Sequence, residues 1–147
     1  MSSIPDFARG WRRGCRVIVT TIHELAERAN DNHTICLYHG RALTVGVHGK
    51  IAFNELLETK DFSSDRPDLV EAAIRHAVNN WRTPEHHLGY LIGLQFGIDE
   101  LHRERERFNH DQAKNRVLEL AATLEARFAA LLRQDHVIPR RGSLPKA

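Results

Sequence analysis

The sequence predicts an α+β protein, in which a small N-terminal antiparallel sheet of β-α-β-β order precedes a helical C-terminal half of three or four helices. Two patterns support this fold class. Short runs of β-branched and aromatic residues, which are typical of strands, are concentrated before residue 50. Apolar residues recur at spacings of three and four after residue 67. Residues 1–138 are expected to form a single domain, with 139–147 as a flexible tail.

The first fourteen residues are expected to form a basic arm outside the core. They contain Pro5, Gly10 and Gly14, which interrupt regular structure. They also begin a cluster in which arginines surround a tryptophan, a combination suited to a phosphate backbone or to a protein surface. The cluster consists of Arg9, Trp11, Arg12, Arg13 and Arg16.

Residues 15–58 are expected to form the α+β part. The run at 15–20 is rich in β-branched residues and is therefore predicted to be a strand. A short helix should follow it, because Thr21 and Glu24 have the spacing of a capping box. Further strands are predicted at 33–39 and 42–48, while 51–58 fits either a strand or a short helix.

Residues 67–134 are expected to be helical. Pro67 and Pro84 are each placed to open a helix, because proline costs nothing at the first helical position. Thr83 can cap the second of these helices. A last helix is predicted over 112–134, and it either continues the helix from Pro84 or follows a break near residue 109. A polar loop is expected at 60–66.

Three glycines, Gly89, Gly93 and Gly97, recur at a spacing of four and therefore share one side of the helix. Each costs roughly 0.5–1 kcal/mol against alanine, so close approach of another backbone is needed to offset that cost. The apolar run from Leu88 to Ile98 would span only about 16 Å of a hydrocarbon layer of roughly 30 Å. We therefore expect the glycines to pack against another helix in the core of the same domain. The protein is expected to be cytoplasmic and to make no contact with a membrane.

One helical face presents a carboxylate, an imidazole and a second carboxylate at Asp99, His102 and Glu106. A di-iron site would need a second acid-and-histidine pair, and no other histidine has an acidic residue three positions before it. We therefore expect no cofactor and keep a metal site at these residues as an alternative. The ten histidines predict association that changes in mild acid.

The sequence carries no motif of recognisable activity and favours a non-enzymatic protein-binding module. The hypothesis is a small intracellular prokaryotic adaptor, regulator or inhibitor that acts on a larger protein or nucleoprotein assembly. Carriage by a phage or a plasmid is compatible with this hypothesis. The arginine and tryptophan cluster is expected to contact the protein partner. The protein can also form homo-oligomers through its helical faces under this hypothesis. One alternative is nucleic-acid binding through the same cluster. Another is a metal-dependent enzyme centred on Asp99, His102 and Glu106.

Overall fold

The computed structural model describes residues 4–59, 67–80, 82–108 and 111–133, and all regular structure within these ranges is helical. Five α-helices and one turn of 3-10 helix follow one another along the chain. They are α1 (Ile4–Glu27), α2 (Asn32–Thr59), α3 (Pro67–Asn80), α4 (Pro84–Glu104), the 3-10 turn (Arg105–Arg107) and α5 (Asp111–Arg133).

The predicted α+β fold with an N-terminal sheet is wrong. Residues 15–20 belong to α1, whereas 33–39 and 42–48 belong to α2, which continues through 51–58. Residues 4–14, expected to form an arm, are the first part of α1. The physical reason is that buried side chains recur along α1 at helical spacing, so that packing outweighs the strand propensity of the β-branched run. These buried residues include Phe7, Trp11, Cys15, Ile18, Ile22 and Leu25.

The apolar alternation that predicted a strand at 42–48 arises from two separate faces of α2. Val45 is fully buried against the rest of the molecule. Leu43 and Val47 point outward, with 69% and 47% of their surfaces exposed. An outward aliphatic residue on either side of an inward one produces the period of a strand within a helix.

The predictions for the C-terminal half are confirmed where the structure describes it. Helix α3 begins at Pro67, and α4 begins at Pro84 after Thr83, whose hydroxyl accepts the His86 N–H at 3.1 Å. The segment after Pro84 holds two helices, because α4 gives way to the 3-10 turn before α5 begins. The predicted loop at 60–66, the cap near residue 109 and the tail at 139–147 lie outside the described residues.

Helix α4 is the centre of the fold and contacts each of the other four α-helices. It runs parallel to α1, because Gly10 lies beside His86 and Ile18 lies beside Gly97. Helix α2 runs antiparallel to α1, since the Trp11 indole N–H donates to the Gly49 carbonyl at 3.2 Å near one end and His23 contacts His39 at 2.7 Å farther along α1. No helix in the described part of the chain is both long and apolar enough to cross a membrane. The core includes Ile18, Ile22, Tyr38, Val45, Leu91, Leu94, Ile98, Leu101, Val117 and Leu124.

Candidate functional site

Four arginines form one solvent-exposed face on the N-terminal half of α1. Arg9, Arg12, Arg13 and Arg16 follow one another at spacings of three, one and three, which places them on the same side of the helix. All four are exposed. We call this surface the arginine face, and it contains the four cations of the predicted partner-binding cluster.

Trp11, the aromatic member of that cluster, points in the opposite direction. Its surface is only 5% exposed, and its ring packs against Phe53 and Phe96 at centroid distances of 5.8 and 5.5 Å. The indole N–H also donates a hydrogen bond to the Gly49 carbonyl oxygen. Trp11 therefore belongs to the core and is not accessible for stacking on a base or for anchoring a partner.

The arginines differ in what they contact within the protein. Arg9 lies 3.5 Å from an Asp6 carboxylate oxygen, and the Arg13 guanidinium carbon lies 4.7 Å from the centre of the Tyr90 ring. No ion pair involves Arg12 or Arg16 among the residues that the structure describes. The charge of the arginine face is thus only partly balanced within the chain.

Glycines hold α1 directly against α4 behind the arginine face. A Cβ atom added to Gly93 would lie 2.6 Å from the Trp11 carbonyl oxygen, and one added to Gly14 would lie 2.6 Å from the Leu94 nitrogen. Such separations are too short for any side-chain carbon. The two backbones are therefore in contact, which fixes the rotation of α1 and the direction of its arginines. The glycines at this contact are Gly10, Gly14, Gly89 and Gly93, while Gly97 meets the Ile18 side chain.

Two neighbouring histidines at the start of α4 are buried beside this contact. Burial lowers the pKa of His86, and the positive charges of Arg82, Arg13 and Arg9 lower it further, against a smaller opposite effect of Asp6. Burial likewise lowers the pKa of His87 to about 4, with His86 and His76 adding to the shift. Both imidazoles are therefore neutral at pH 7.

Two buried carboxylates on α4 form the main polar cluster of the interior. Glu100 contacts the His48 Nδ1 atom at 2.7 Å and accepts two hydrogen bonds from Arg103. Glu104, one helical turn later, accepts a hydrogen bond from Arg41 at 2.8 Å. The side chains of Glu100 and Glu104 are only 4% and 2% exposed. The cluster links α2 to α4 through paired charges.

The ligand atoms of His48, Glu100 and Glu104 lie within 4.8 Å of one another, and they are the only such set of three in the described part of the chain. Each of these side chains already has a protein partner. Two guanidinium groups, from Arg41 and Arg103, balance the two carboxylates, so a cation would have to displace them. The arrangement is that of a buried ion-pair network.

The predicted metal ligands Asp99, His102 and Glu106 have separate surroundings. His102 Nε2 contacts a carboxylate oxygen of Glu125 on α5 at 2.8 Å. Glu106 lies in the 3-10 turn and contacts Arg105 at 3.2 Å. Burial raises the pKa of Asp99, against the smaller lowering effects of Arg103 and His102. The metal site at these residues stays a prediction.

The sequence contains a signal for the buried cluster in the positions of Glu100 and Glu104. Glu100 and Glu104 lie three and seven positions after Gly97, so they continue the same side of the helix as the glycines. A carboxylate that continues the buried side of a helix at this spacing is expected to be buried and to need a positively charged side chain as its partner. The sequence could not identify Arg41 and His48 as the partners, because they come from a helix predicted as strands.

No protein-family model matches this chain, and neither a curated protein nor a solved structure is detectably similar to it.

Proposed function

We propose that this protein is a small intracellular binding module that docks the arginine face of α1 on an acidic surface of a larger protein. The observation that carries this proposal is the incomplete pairing of four exposed guanidinium groups on one helix. Guanidinium groups bind carboxylates through two parallel hydrogen bonds, which gives such a contact geometric specificity. The module itself catalyses no reaction in this proposal.

The surroundings of the arginine face support an anionic partner. Arg82, Arg13 and Arg9 each lie close enough to His86 to lower its pKa, so the surface near the start of α4 is positive. The glycine contact with α4 holds the α1 backbone in place, so little backbone conformational freedom is lost on docking. Since the net charge of the whole chain is only +2, the attraction is local to this face.

The test compares two double variants that remove the same charge from different surfaces. Arg12→Ala with Arg16→Ala removes half of the arginine face, whereas Arg107→Ala with Arg127→Ala removes two exposed arginines elsewhere. A partner captured from a nuclease-treated lysate is purified, and its Kd is measured against each protein. We expect the first variant to bind at least about tenfold more weakly and the control to bind like the parent. Equal weakening of both would contradict docking through this face.

Nucleic acid is the second candidate partner, because guanidinium groups also suit phosphates. The buried position of Trp11 removes the stacking contribution that the sequence predicted. Fluorescence anisotropy with a generic labelled duplex at several salt concentrations separates the two partners. If Arg12 and Arg16 contact phosphates, their removal should reduce the log–log salt slope by about two. Tight duplex binding at physiological salt that depends on these arginines would replace the protein partner in our proposal.

An apolar stripe on α2 is a second candidate interface, and its proposed occupant is a second copy of this chain. Leu43, Val47 and Ile51 are 69%, 47% and 51% exposed on one side of the helix. Gly40 lies on the same side, and a Cβ atom there would meet nothing within 4 Å. A glycine in the middle of a helix is costly, and no contact among the described residues explains Gly40. We call Cys36, Gly40, Leu43, Val47 and Ile51 the α2 stripe.

The charges beside the α2 stripe favour a parallel pair of helices. Lys50 and Glu55 flank the stripe on opposite sides and lie five positions apart, the relation that brings opposite charges together across a parallel two-helix interface. Asn54 continues the stripe, and a polar residue at one such position specifies register in helix pairs. The parallel arrangement also places Cys36 next to Cys36 of the second copy.

Sedimentation or light scattering over a range of concentrations tests this self-association. Val47→Glu should give a monomer, whereas Val78→Glu, at a site on α3 that is 74% exposed, should behave like the parent. Mild oxidation should then link two chains through Cys36, because Cys15 is buried. A parent protein that is monomeric throughout would contradict the proposed dimer. A dimer that never cross-links would contradict its parallel arrangement.

A further inference from the structure

Two histidines from neighbouring helices meet at the surface between α1 and α2. The Nδ1 atom of His23 on α1 lies 2.7 Å from the Nδ1 atom of His39 on α2, and the centres of the two rings are 4.8 Å apart. His39 is exposed and His23 is half-buried, so the contact is open to solvent. We call these two residues the histidine pair. They belong neither to the arginine face nor to the α2 stripe.

The backbones that carry the histidine pair are held against each other along the same side of α1. The Trp11 indole N–H donates to the Gly49 carbonyl oxygen at 3.2 Å, and a Cβ atom added to Gly46 would lie 4.0 Å from Cγ2 of Val19, one helical turn before His23. Both histidines project from the interior of long helices. A ligand that bridges them therefore needs to order two side chains and no backbone, which lowers the entropic cost of binding.

The way in which the two rings face each other is suited to a shared cation. One Nδ1 atom donates a proton in this contact and the other accepts it with its lone pair. When the donating ring carries its proton on Nε2 instead, the lone pairs of both Nδ1 atoms are directed at the space between the rings. Two nitrogens that bind one tetrahedral Zn²⁺ ion lie about 3.4 Å apart, so the rings would have to separate by only about 0.7 Å from the observed 2.7 Å.

The side chains next to the histidine pair do not oppose a positive ion. The positions three and four residues away from each histidine on its own helix contain no lysine or arginine. The charged residue among these positions is Glu27, which is exposed and lies four positions after His23. The cluster of Glu100 and Glu104 differs in this respect, because a cation there would compete with two guanidinium groups.

We infer that His23 and His39 together bind one divalent transition-metal ion, such as Zn²⁺, through their Nδ1 atoms. Neutral imidazole is the commonest protein ligand for these metals, whereas Mg²⁺ and Ca²⁺ prefer oxygen ligands. Water completes the coordination shell, because no third ligand atom in the described part of the chain lies within 4.8 Å of both Nδ1 atoms. The site does not depend on the proposed docking of the arginine face.

The experiment titrates the reduced full chain with zinc chloride, in a buffer free of chelators, and follows the heat of binding by calorimetry. The titration gives the Kd and the number of ions bound per chain. Thermal unfolding at several zinc concentrations reports binding to the folded state as a saturable rise in Tm. Magnesium chloride is the second titrant. We expect a saturable response to zinc with one ion per chain at this site and no saturable response to magnesium.

Four variants assign the zinc ion to the histidine pair. His23→Gln and His39→Gln each remove one imidazole ligand, and we expect each to weaken zinc binding at least about tenfold. His33→Gln removes an exposed histidine elsewhere on α2, and Cys36→Ser removes the exposed thiol one turn before His39. Both of these controls should bind zinc like the parent.

Two kinds of result would overturn the inference. One is the absence of saturable zinc binding, or parental affinity in His23→Gln or His39→Gln. The other is loss of zinc binding in His33→Gln or Cys36→Ser, which would place the ion at a different set of ligands. Because the histidine pair lies at the surface, thermal melts without metal should show that all four variants fold.

Discussion

Burial at the contact between α1 and α4 changes the proton affinities of individual residues. The pKa of the Cys15 thiol rises to about 12, mainly because of burial and secondarily because of the negative charge of Glu100. The pKa of His87 falls to about 4, mainly because of burial and secondarily because of nearby positive groups. Both side chains are uncharged at neutral pH, as a low-dielectric environment favours. Cys36, in contrast, is an exposed thiol.

The shifted pKa of His87 predicts a loss of stability in acid. The unfolded chain binds a proton at this residue near pH 6.5, whereas the folded chain binds it only near pH 4. The stabilising contribution is therefore complete above pH 6.5 and is lost as the pH falls toward 4. The free energy of unfolding lost through protonation of His87 is at most about 3 kcal/mol. Urea denaturation at several pH values measures it.

The controls for this prediction are two histidine variants. His87→Leu should show a smaller decrease in the free energy of unfolding between pH 7 and 4.5. His33→Gln changes an exposed histidine and should retain the decrease seen in the parent. If His87→Leu and the parent have the same pH dependence, His87 is not the group responsible.

At the scale of the helices, glycines have opposite roles at two kinds of position. Gly93 lies where α1 and α4 touch, and an added Cβ atom would lie 2.6 Å from a backbone oxygen. At Gly46 on α2, the nearest atom would be Cγ2 of Val19 at 4.0 Å, which is an ordinary contact. The same substitution should therefore change stability in opposite directions at the two sites.

Gly93→Ala should lower the free energy of unfolding by about 1–3 kcal/mol, because the backbones of two helices must separate. Gly46→Ala should raise it by about 0.5–1 kcal/mol, because alanine favours the helix and nothing must move. Chemical denaturation of both variants is the measurement. A stabilised Gly93→Ala protein would mean that α1 and α4 are not in backbone contact.

The buried charges between α2 and α4 allow a double-mutant test of the helix arrangement. Arg41→Met leaves the Glu104 carboxylate buried without its guanidinium partner and should cost about 3 kcal/mol. Adding Glu104→Leu removes the unpaired charge and should recover most of that loss. Thermal or urea unfolding of the two single variants and the double variant gives the coupling energy. Additive effects would contradict the observed pairing.

The sequence predicted the helices that have strong terminal signals and failed where packing decided the structure. Pro67, Thr83 and Pro84 mark helix starts by chemistry that acts locally, so α3 and α4 were identified. The β-branched run at 15–20 also has a local preference, but it is overruled by the burial of one side of α1. The exposed aliphatic side chains of the α2 stripe concealed the helical period, because they are apolar without facing the core.

Part of the candidate site was also accessible from the sequence. The arginines of the cluster could be identified from composition, and the structure places all four on one exposed side of α1. The burial of Trp11 could not be predicted, because residues 1–14 were expected to form an irregular arm. A segment without a regular helical period gives no indication of which side chains face the core.

On the scale of the whole molecule, the two candidate surfaces lie on neighbouring helices. The arginine face occupies the first half of α1. The α2 stripe faces away from the core on a neighbouring helix. Binding at one of these surfaces leaves the other accessible, so a protein partner and a second copy do not compete for the same residues.

The contact between α1 and α4 also has a consequence for synthesis of the chain. Gly14 meets Leu94, so α1 leaves the ribosome 80 residues before the segment that covers it has been made. At a rate of roughly 5–20 residues per second, the first helix waits for about 4–16 s without its main partner. During that interval, the nine residues of α1 that are buried in the folded protein have mainly α2 to cover them. The nascent protein is thus a candidate for chaperone binding at its first helix until α4 emerges.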